Sequence, residues 1–422
     1  MRAARFRTRV RLGDPLLFFL VVGLSCLGIA KVYSAGVLDV PSTVVAGLWR
    51  LQLLWFSLAL LLIPLVLMVP IQIIRLAAVP LYVVAMILLI LTPIIGTGVG
   101  TAEGVPRWIA FGPIRVQTAE FAKIPVILML SHVLGKLKEP NTSLWQLWKP
   151  VAIVSLPMAL VMLQPDIGTT IVFGFILLAS LYWALVPLRT ILMLISPAIA
   201  LIAAFNVWVW GVWFLFIAMM IFFWKPTIAQ GATVLVANVV AGTIALPLWD
   251  SLATYQKNRI LVFMDPQIDP RGAGYNLIQS RVAIGSGGLT GKGFLEGTQK
   301  RLGFLPEQHT DFIFSVLGEE WGFIGVAAVI LVFAVILWRL VSIADRTEDE
   351  FARLIPFGIA AAWFVHVVVN TGMTVGIMPI TGIPLPFISY GGSFLLINLL
   401  GMALVQRIAS EIPRSPRTSV GE

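Results

Sequence analysis

The sequence predicts an all-α polytopic membrane protein of about twelve transmembrane helices, and three observations carry that prediction. Hydrophobic residues make up 59% of the 422 and charged residues only 12%, with a mean hydropathy of +0.96, outside the range of soluble globular chains. Apolar runs long enough to cross a hydrocarbon core of about 30 Å recur along the chain. Basic residues fall between these runs and alternate in density from one connection to the next, as the positive-inside rule describes. The formal charge of +9 therefore reports orientation in a membrane and gives no reason to expect nucleic acid as a partner.

The chain opens with a basic tail, 1–14, holding Arg2, Arg5, Arg7, Arg9 and Arg11. The apolar run that follows, 15–33, lacks a small-x-small cleavage site after it and reads as an uncleaved anchor with its amino terminus in the cytoplasm. Cys26, the sole cysteine, lies inside this run, so there is no disulfide framework. Further spans are expected at 51–69, 76–95, 116–135, 151–163, 168–187, 190–205, 207–224, 231–248, 313–338, 354–371 and 393–407. Twelve crossings return the carboxyl terminus to the cytoplasm. Seventeen Lys and Arg then face inward, against four in the short outer connections: Lys31, Arg50, Arg107 and Arg115. The seven in the long loop are set aside, because long loops obey the rule poorly. Spans 151–163 and 190–205 are short for a bilayer, which implies tilt or breaks. Region 188–250 holds three runs separated only by Asn206-Val207-Trp208 and Lys225-Pro226-Thr227. The expected organisation is one membrane domain, 15–408, with a large extracytoplasmic loop at 249–312 and a solvated cytoplasmic tail at 409–422. No internal repeat or soluble second domain is visible.

On this topology several polar groups, distant in sequence, reach the same outer surface. The large loop ends in Leu305-Pro306-Glu307-Gln308-His309-Thr310-Asp311-Phe312 and hands a carboxylate to the start of an apolar helix. An ionisable group there is costly to solvate and marks a site facing a wet cavity. Glu120 and Lys123, three apart, share a helix face with Gln117 ahead of them and Arg107 in the preceding connection. An internal ion pair that lets the helix carry two charges is the plainer reading of that pair. Gln164-Pro165-Asp166-Ile167-Gly168 breaks the chain between two spans, where Asp166 either caps the following helix or faces the cavity. The last outer connection, Asn370 to Ser393, has no charged residue and reads as a cavity wall, since irregular backbone at this depth must line a cavity or be buried in protein. Gly285-Ser286-Gly287-Gly288-Leu289-Thr290-Gly291-Lys292-Gly293 fails as a nucleotide-binding phosphate loop, because Ser286 and Gly293 occupy positions that need Gly and Ser or Thr. Its amides and Lys292 still offer a cradle for a pyrophosphate; a flexible turn is the alternative. Glu307, His309 and Asp311 form a minimal metal-ligand set only if the segment is extended. His132 and His366 read as structural, and the fourteen Trp as interfacial belts.

Tyr255-Gln256-Lys257-Asn258-Arg259, Asp265-Pro266 through Asp269-Pro270, Gly274-Tyr275-Asn276-Leu277-Ile278-Gln279-Ser280, the glycine run, the Leu305 to Phe312 string, Gln164-Pro165-Asp166, and Pro384-Leu385-Pro386-Phe387-Ile388-Ser389-Tyr390-Gly391-Gly392-Ser393 together resemble the RodA branch of the SEDS family (shape, elongation, division, sporulation). The resemblance covers most of the chain. It implies a ten-helix core, to which 188–250 adds an extra pair, and a peptidoglycan glycosyltransferase of the bacterial cytoplasmic membrane. Such an enzyme polymerises lipid II at the outer face beside a class B penicillin-binding protein. Gln117-Thr118-Ala119-Glu120 departs from the family's Gln-Pro-Ser-Glu, but Glu120 and Lys123 remain.

Under that reading Asp311 is the expected general base for a sugar hydroxyl. Lys123, Arg107, Arg50 and Lys292 are the candidates for charge on the leaving pyrophosphate. Glu120 and Asp166 position groups or hold a divalent cation (Mg or Mn), and His309 and Ser393 are candidate supporting residues. The sequence itself requires no cofactor. A lipid II flippase, the division paralogue FtsW, and a non-catalytic scaffold remain as alternatives. The gathering of charge near one face favours chemistry over a carrier, whose polar groups would follow the whole path.

Overall fold

The computed structural model describes residues 11–40, 45–98, 106–112, 114–137, 143–270 and 272–412. Arg2 to Arg9 of the basic tail and the carboxyl tail from Pro413 lie outside the described residues. The elements are α1 (Pro15–Ala35), α2 (Leu48–Met68), α3 (Ile71–Ile95), β1 (Trp108–Phe111), β2 (Ile114–Gln117), α4 (Thr118–Leu134), α5 (Trp148–Met162), α6 (Ile167–Trp183), α7 (Leu188–Ala203), α8 (Val207–Trp224) and α9 (Ile228–Ser251). The large loop follows as α10 (Thr254–Met264), α11 (Ala273–Ser286) and α12 (Thr298–Arg301), and the chain ends with α13 (Ile313–Arg346), α14 (Glu350–Val375) and α15 (Gly392–Ala409). Twelve of these helices fall on the twelve expected spans. Among the described residues nine helices are long and apolar enough to cross a membrane, and the apolar α6 and α7 are shorter. The chain is an all-α, multi-pass membrane protein. One departure is the antiparallel hairpin β1–β2, with Trp108 opposite Gln117: Gln117 ends a strand and precedes α4 instead of lying inside it.

The short spans have physical explanations. A 3-10 turn at Leu144–Leu147 precedes α5 and extends its apolar stretch to 19 residues. The narrow breaks in 188–250 are cap-to-cap turns. Asn206 Oδ1 accepts from the amides of Trp208 and Val209 to start α8, which ends where Lys225 turns left-handed at φ 45°; Thr227 then caps α9. The three helices are joined by a polar stitch: Asn238 Nδ2 donates to Ser196 Oγ at 2.8 Å and Trp213 Nε1 donates to Asn238 Oδ1 at 3.1 Å. Without water, such bonds and close packing hold helices together. In the most apolar windows α14 and α15 are 72% buried and α8 only 11%, so the former pair forms the centre and α8 the periphery.

The glycine run docks into a break in α13. Gly322 has φ 61° and ψ −163° inside that helix, and the freed carbonyls of Glu319 and Glu320 accept from Lys292 N and Gly293 N, each at 3.0 Å. Phe323 N and Ile324 N in turn donate to the carbonyls of Gly288 and Leu289. A Cβ at Gly287 would lie 2.1 Å from Gly318 O, and one at Gly291 would lie 2.1 Å from Glu320 O. The glycines thus permit two backbones to cross. The amides of Lys292 and Gly293 are spent on α13, so of the two readings of this run, cradle or turn, these amides do not supply the cradle.

A second buried assembly was not foreseen. Lys31, Ser34, Lys300 and Glu320 all have no exposed surface. Lys31 Nζ and Lys300 Nζ each lie 2.6 Å from Glu320, Ser34 Oγ bonds Glu320, and Lys300 Nζ bonds Ser34. Lys31 also sits 4.2 Å from the Trp321 ring. This cluster fastens α12 to α1 and α13, and it corrects the placement of Lys31 in a short outer connection.

Candidate active site

Asp311 is held by a turn whose flanks are hydrophobic. Leu305 and Phe312, both 2% exposed, join Val262, Leu277, Val316, Met373 and Ile380 in a small core beneath the large loop. Between them Thr310 N and Phe312 N both donate to the Glu307 carbonyl, with Glu307 itself at φ 50°. A non-glycine residue in this conformation carries strain that its surroundings must hold.

The wall from Gly376 to Gly391 does that holding. Asn370 Nδ2 donates to Asp311 O at 2.9 Å and Ile383 O at 2.7 Å. Ser389 Oγ donates to Thr310 O at 2.6 Å, and Tyr390 N donates to His309 O at 2.8 Å. Gln52 of α2 ties the far end, donating to Ser389 O and accepting from Gly391 N. The charge-free stretch is thus bonded to the Asp311 turn at Ser389 and Tyr390 and, through Asn370, at Ile383.

Arg259, Arg107 and Asp166 are near enough to act on the charge of the carboxylate. A Cβ placed on Gly382, whose φ is +75°, would be 3.3 Å from Asp311 Oδ2 and 3.5 Å from Arg259 Nη1, so carboxylate and guanidinium flank the same glycine. Arg107 donates to the Gln164 and Pro165 carbonyls at 3.0 and 2.5 Å. Asp166 caps α6, accepting from Thr169 N at 3.0 Å, and also accepts from Gln117 Nε2 at 3.3 Å; Ser393 Oγ accepts from Gln117 N at 3.4 Å. The capping reading of Asp166 is realised, and its second oxygen is taken up by Gln117 and Thr169.

Burial pushes the Asp311 carboxyl up from its ordinary 3.8 to about 6; Glu307 and Asp166 add to the rise, and Arg259 and Arg107 oppose it. Asp311 nonetheless keeps part of its surface open. Burial lowers His309, opposed by Glu307, whose Oε2 is 3.9 Å from the ring. A part-open carboxylate with a base strength close to neutral pH suits proton abstraction.

The remaining sequence candidates divide. Glu120 and Lys123 form a buried pair at 2.7 Å on α4. Arg50 is exposed and rests 5.5 Å from the Trp49 ring; it is Gln52, two residues on, that reaches the site. Lys292 bonds Glu319 and Thr298, each at 2.7 Å, so it braces the α12 turn and is not brought to Asp311. Glu120 is committed to Lys123, and among the described residues no group of three or more His, Cys, Asp or Glu is arranged to hold a metal ion. Arg259, Gln52, Asn370 and His366 were missed as site residues. The last three are polar residues inside apolar spans, a signal the cost of burying them makes readable.

The family profile described as "Cell cycle protein" (FTSW_RODA_SPOVE) matches residues 15–213 and 209–413. The chain belongs to this family. It is 33% identical over 400 residues to the peptidoglycan glycosyltransferase MrdB of Escherichia coli K12, covering 94% of this chain and 93% of that one. It is 34% identical over 426 residues to the peptidoglycan glycosyltransferase RodA of Treponema pallidum, covering 94% and 97%. Among solved structures it resembles a chain from a peptidoglycan synthase complex that coordinates polymerisation and crosslinking, with a TM-score of 0.70, 27% identity, and coverage of 95% and 99%. The rod shape-determining protein RodA of Thermus thermophilus matches with a TM-score of 0.62 and 26% identity, over 95% and 98% of the two chains.

Proposed function

We propose that this protein is a peptidoglycan glycosyltransferase of the cytoplasmic membrane that polymerises lipid II into β-1,4 glycan, with Asp311 as general base. The observation that carries the reading is the Asp311 carboxylate, raised to about 6 and part-open beside Arg259 and Arg107. In the acceptor, a glucosamine 4-hydroxyl loses its proton to Asp311 as its oxygen bonds to the anomeric carbon of the donor muramyl sugar. The bond from that carbon to the undecaprenyl pyrophosphate breaks on the opposite face, so an α-linked donor gives a β-linked product. The departing pyrophosphate is a stable anion and needs positive charge more than a proton. Arg107 and Arg259 supply it, Arg259 replacing Arg50 and Lys292 among the candidates. The excess of Lys and Arg in the inner connections supports a site on the extracytoplasmic side with both termini in the cytoplasm. A class B penicillin-binding protein is the proposed partner, in keeping with the synthase complex to which the fold is similar.

The test is glycan synthesis from purified lipid II by the protein with such a partner. Wild type should make polymer, and Asp311→Asn should lose about 10²- to 10⁴-fold in rate, the range of general base catalysis. Polymer made at the wild-type rate by Asp311→Asn removes the base. Labelled lipid crossing sealed vesicles without polymer favours the flippase.

A further inference from the structure

His366 lies one helical turn before Asn370 on α14, and it joins the Glu120–Lys123 pair to the wall beside Asp311. Lys123 Nζ is 2.7 Å from each Glu120 oxygen and 2.7 Å from His366 Nε2. An ammonium has three donors and no acceptor, so Nε2 accepts and the ring proton is assigned to Nδ1. That nitrogen lies 2.9 Å from the Pro384 carbonyl and donates to it. Glu120 and His366 are each 2% exposed and Lys123 is 5% exposed.

Two consequences follow from these distances. All three Lys123 donors are engaged within the protein, so Lys123 has none left for a pyrophosphate oxygen. Residues four apart on α14, His366 and Asn370, also hold the consecutive carbonyls of Pro384 and Ile383, and Asn370 holds the Asp311 carbonyl as well. Gly382, next along the wall, stands between Asp311 and Arg259.

We propose that His366 is a positioning residue for glycosyl transfer, fixing the wall segment through Pro384 and withholding Lys123 from the substrate through Nε2. This rests on the function proposed above. The two ring nitrogens can be tested apart. His366→Asn places an amide N–H near the Nδ1 position, keeping the Pro384 bond and removing the acceptor from Lys123. His366→Gln places a carbonyl oxygen near the Nε2 position, keeping the Lys123 contact and removing the donor to Pro384.

Steady-state polymerisation is measured against lipid II concentration and pH, with thermal unfolding in detergent as the folding control. His366→Gln is expected to lower kcat about tenfold, the effect of one hydrogen bond of about 1.4 kcal/mol, and to move the acidic limb of its pH profile, because the wall no longer fixes Gly382 between Asp311 and Arg259. His366→Asn should leave that limb in place and change KM for lipid II at least twofold, roughly the low end for a gained or lost hydrogen bond, because Lys123 then has a free donor. A general packing role would lower unfolding temperature in both variants and move neither the limb nor KM. If either folded variant shows wild-type kcat, KM and pH limb while wild type makes glycan and Asp311→Asn does not, the His366 proposal is overturned and the proposed function stands. Glycan from Asp311→Asn at the wild-type rate instead removes the base assignment.

Discussion

Asp311→Asn should move activity and stability in opposite directions. A carboxyl whose value rises from 3.8 to about 6 on folding binds its proton more tightly in the native state than in the unfolded one. Its contribution to stability is therefore most favourable at low pH and is lost as pH climbs through about 4 to about 6. At 1.36 kcal/mol per pH unit, the charged carboxylate costs at most about 3 kcal/mol at neutral pH. Asparagine has the same shape and no charge. The variant should be more stable than wild type at pH 7.5 by up to about 3 kcal/mol, and the gain should shrink as pH falls, reaching zero only below about pH 3, where the wild-type carboxyl holds its proton in both states. Glycan synthesis should fall by about 10²- to 10⁴-fold over the same substitution. Unfolding in detergent followed by tryptophan fluorescence at several pH values, beside lipid II polymerisation, measures both. A variant less stable than wild type at pH 7.5, or a gain that does not change with pH, refutes the claim that this carboxylate is held in an unfavourable environment.

In wild type, kcat/KM should fall about tenfold per pH unit below about 6, as the base is protonated. Glu307→Gln, which removes a group that raises Asp311, should shift that limb to lower pH, and Arg259→Gln should shift it to higher pH; shifts of the same sign would discount the electrostatic account. At the buried cluster, Glu320→Gln strands Lys31 and Lys300 without a countercharge and should cost about 3–5 kcal/mol. Lys31→Met keeps the Lys300 pair and should cost clearly less; equal losses on thermal unfolding would mean that Glu320 is not the centre.

What was legible in the sequence followed from the membrane's demand that backbone groups be satisfied within helices. The twelve runs, the breaks at Asn206 and Lys225, and the place of Asp311 at the head of α13 could all be read from hydropathy and capping residues. Partners brought together by tertiary packing could not. Arg259 ends the polar half of α10, and nothing in its neighbours indicates that it turns toward Gly382. Lys31 counts as a basic residue at a span end until Glu320 is seen to cross it.

The glycine run shows why such ambiguities persist. A glycine at 287 or 291 admits either an anion held by free amides or a second backbone passing close, because both need the same absence of a Cβ. Which occurs depends on whether some other segment breaks its own hydrogen bonds at the right place. Gly322 does so in α13, opening the carbonyls of Glu319 and Glu320, and those carbonyls take the amides of Lys292 and Gly293. The same crossing brings Lys292 to Glu319 and seats α12 against Lys31 and Glu320. A residue that looked like a substrate contact thus serves to fix the loop whose far end presents Asp311.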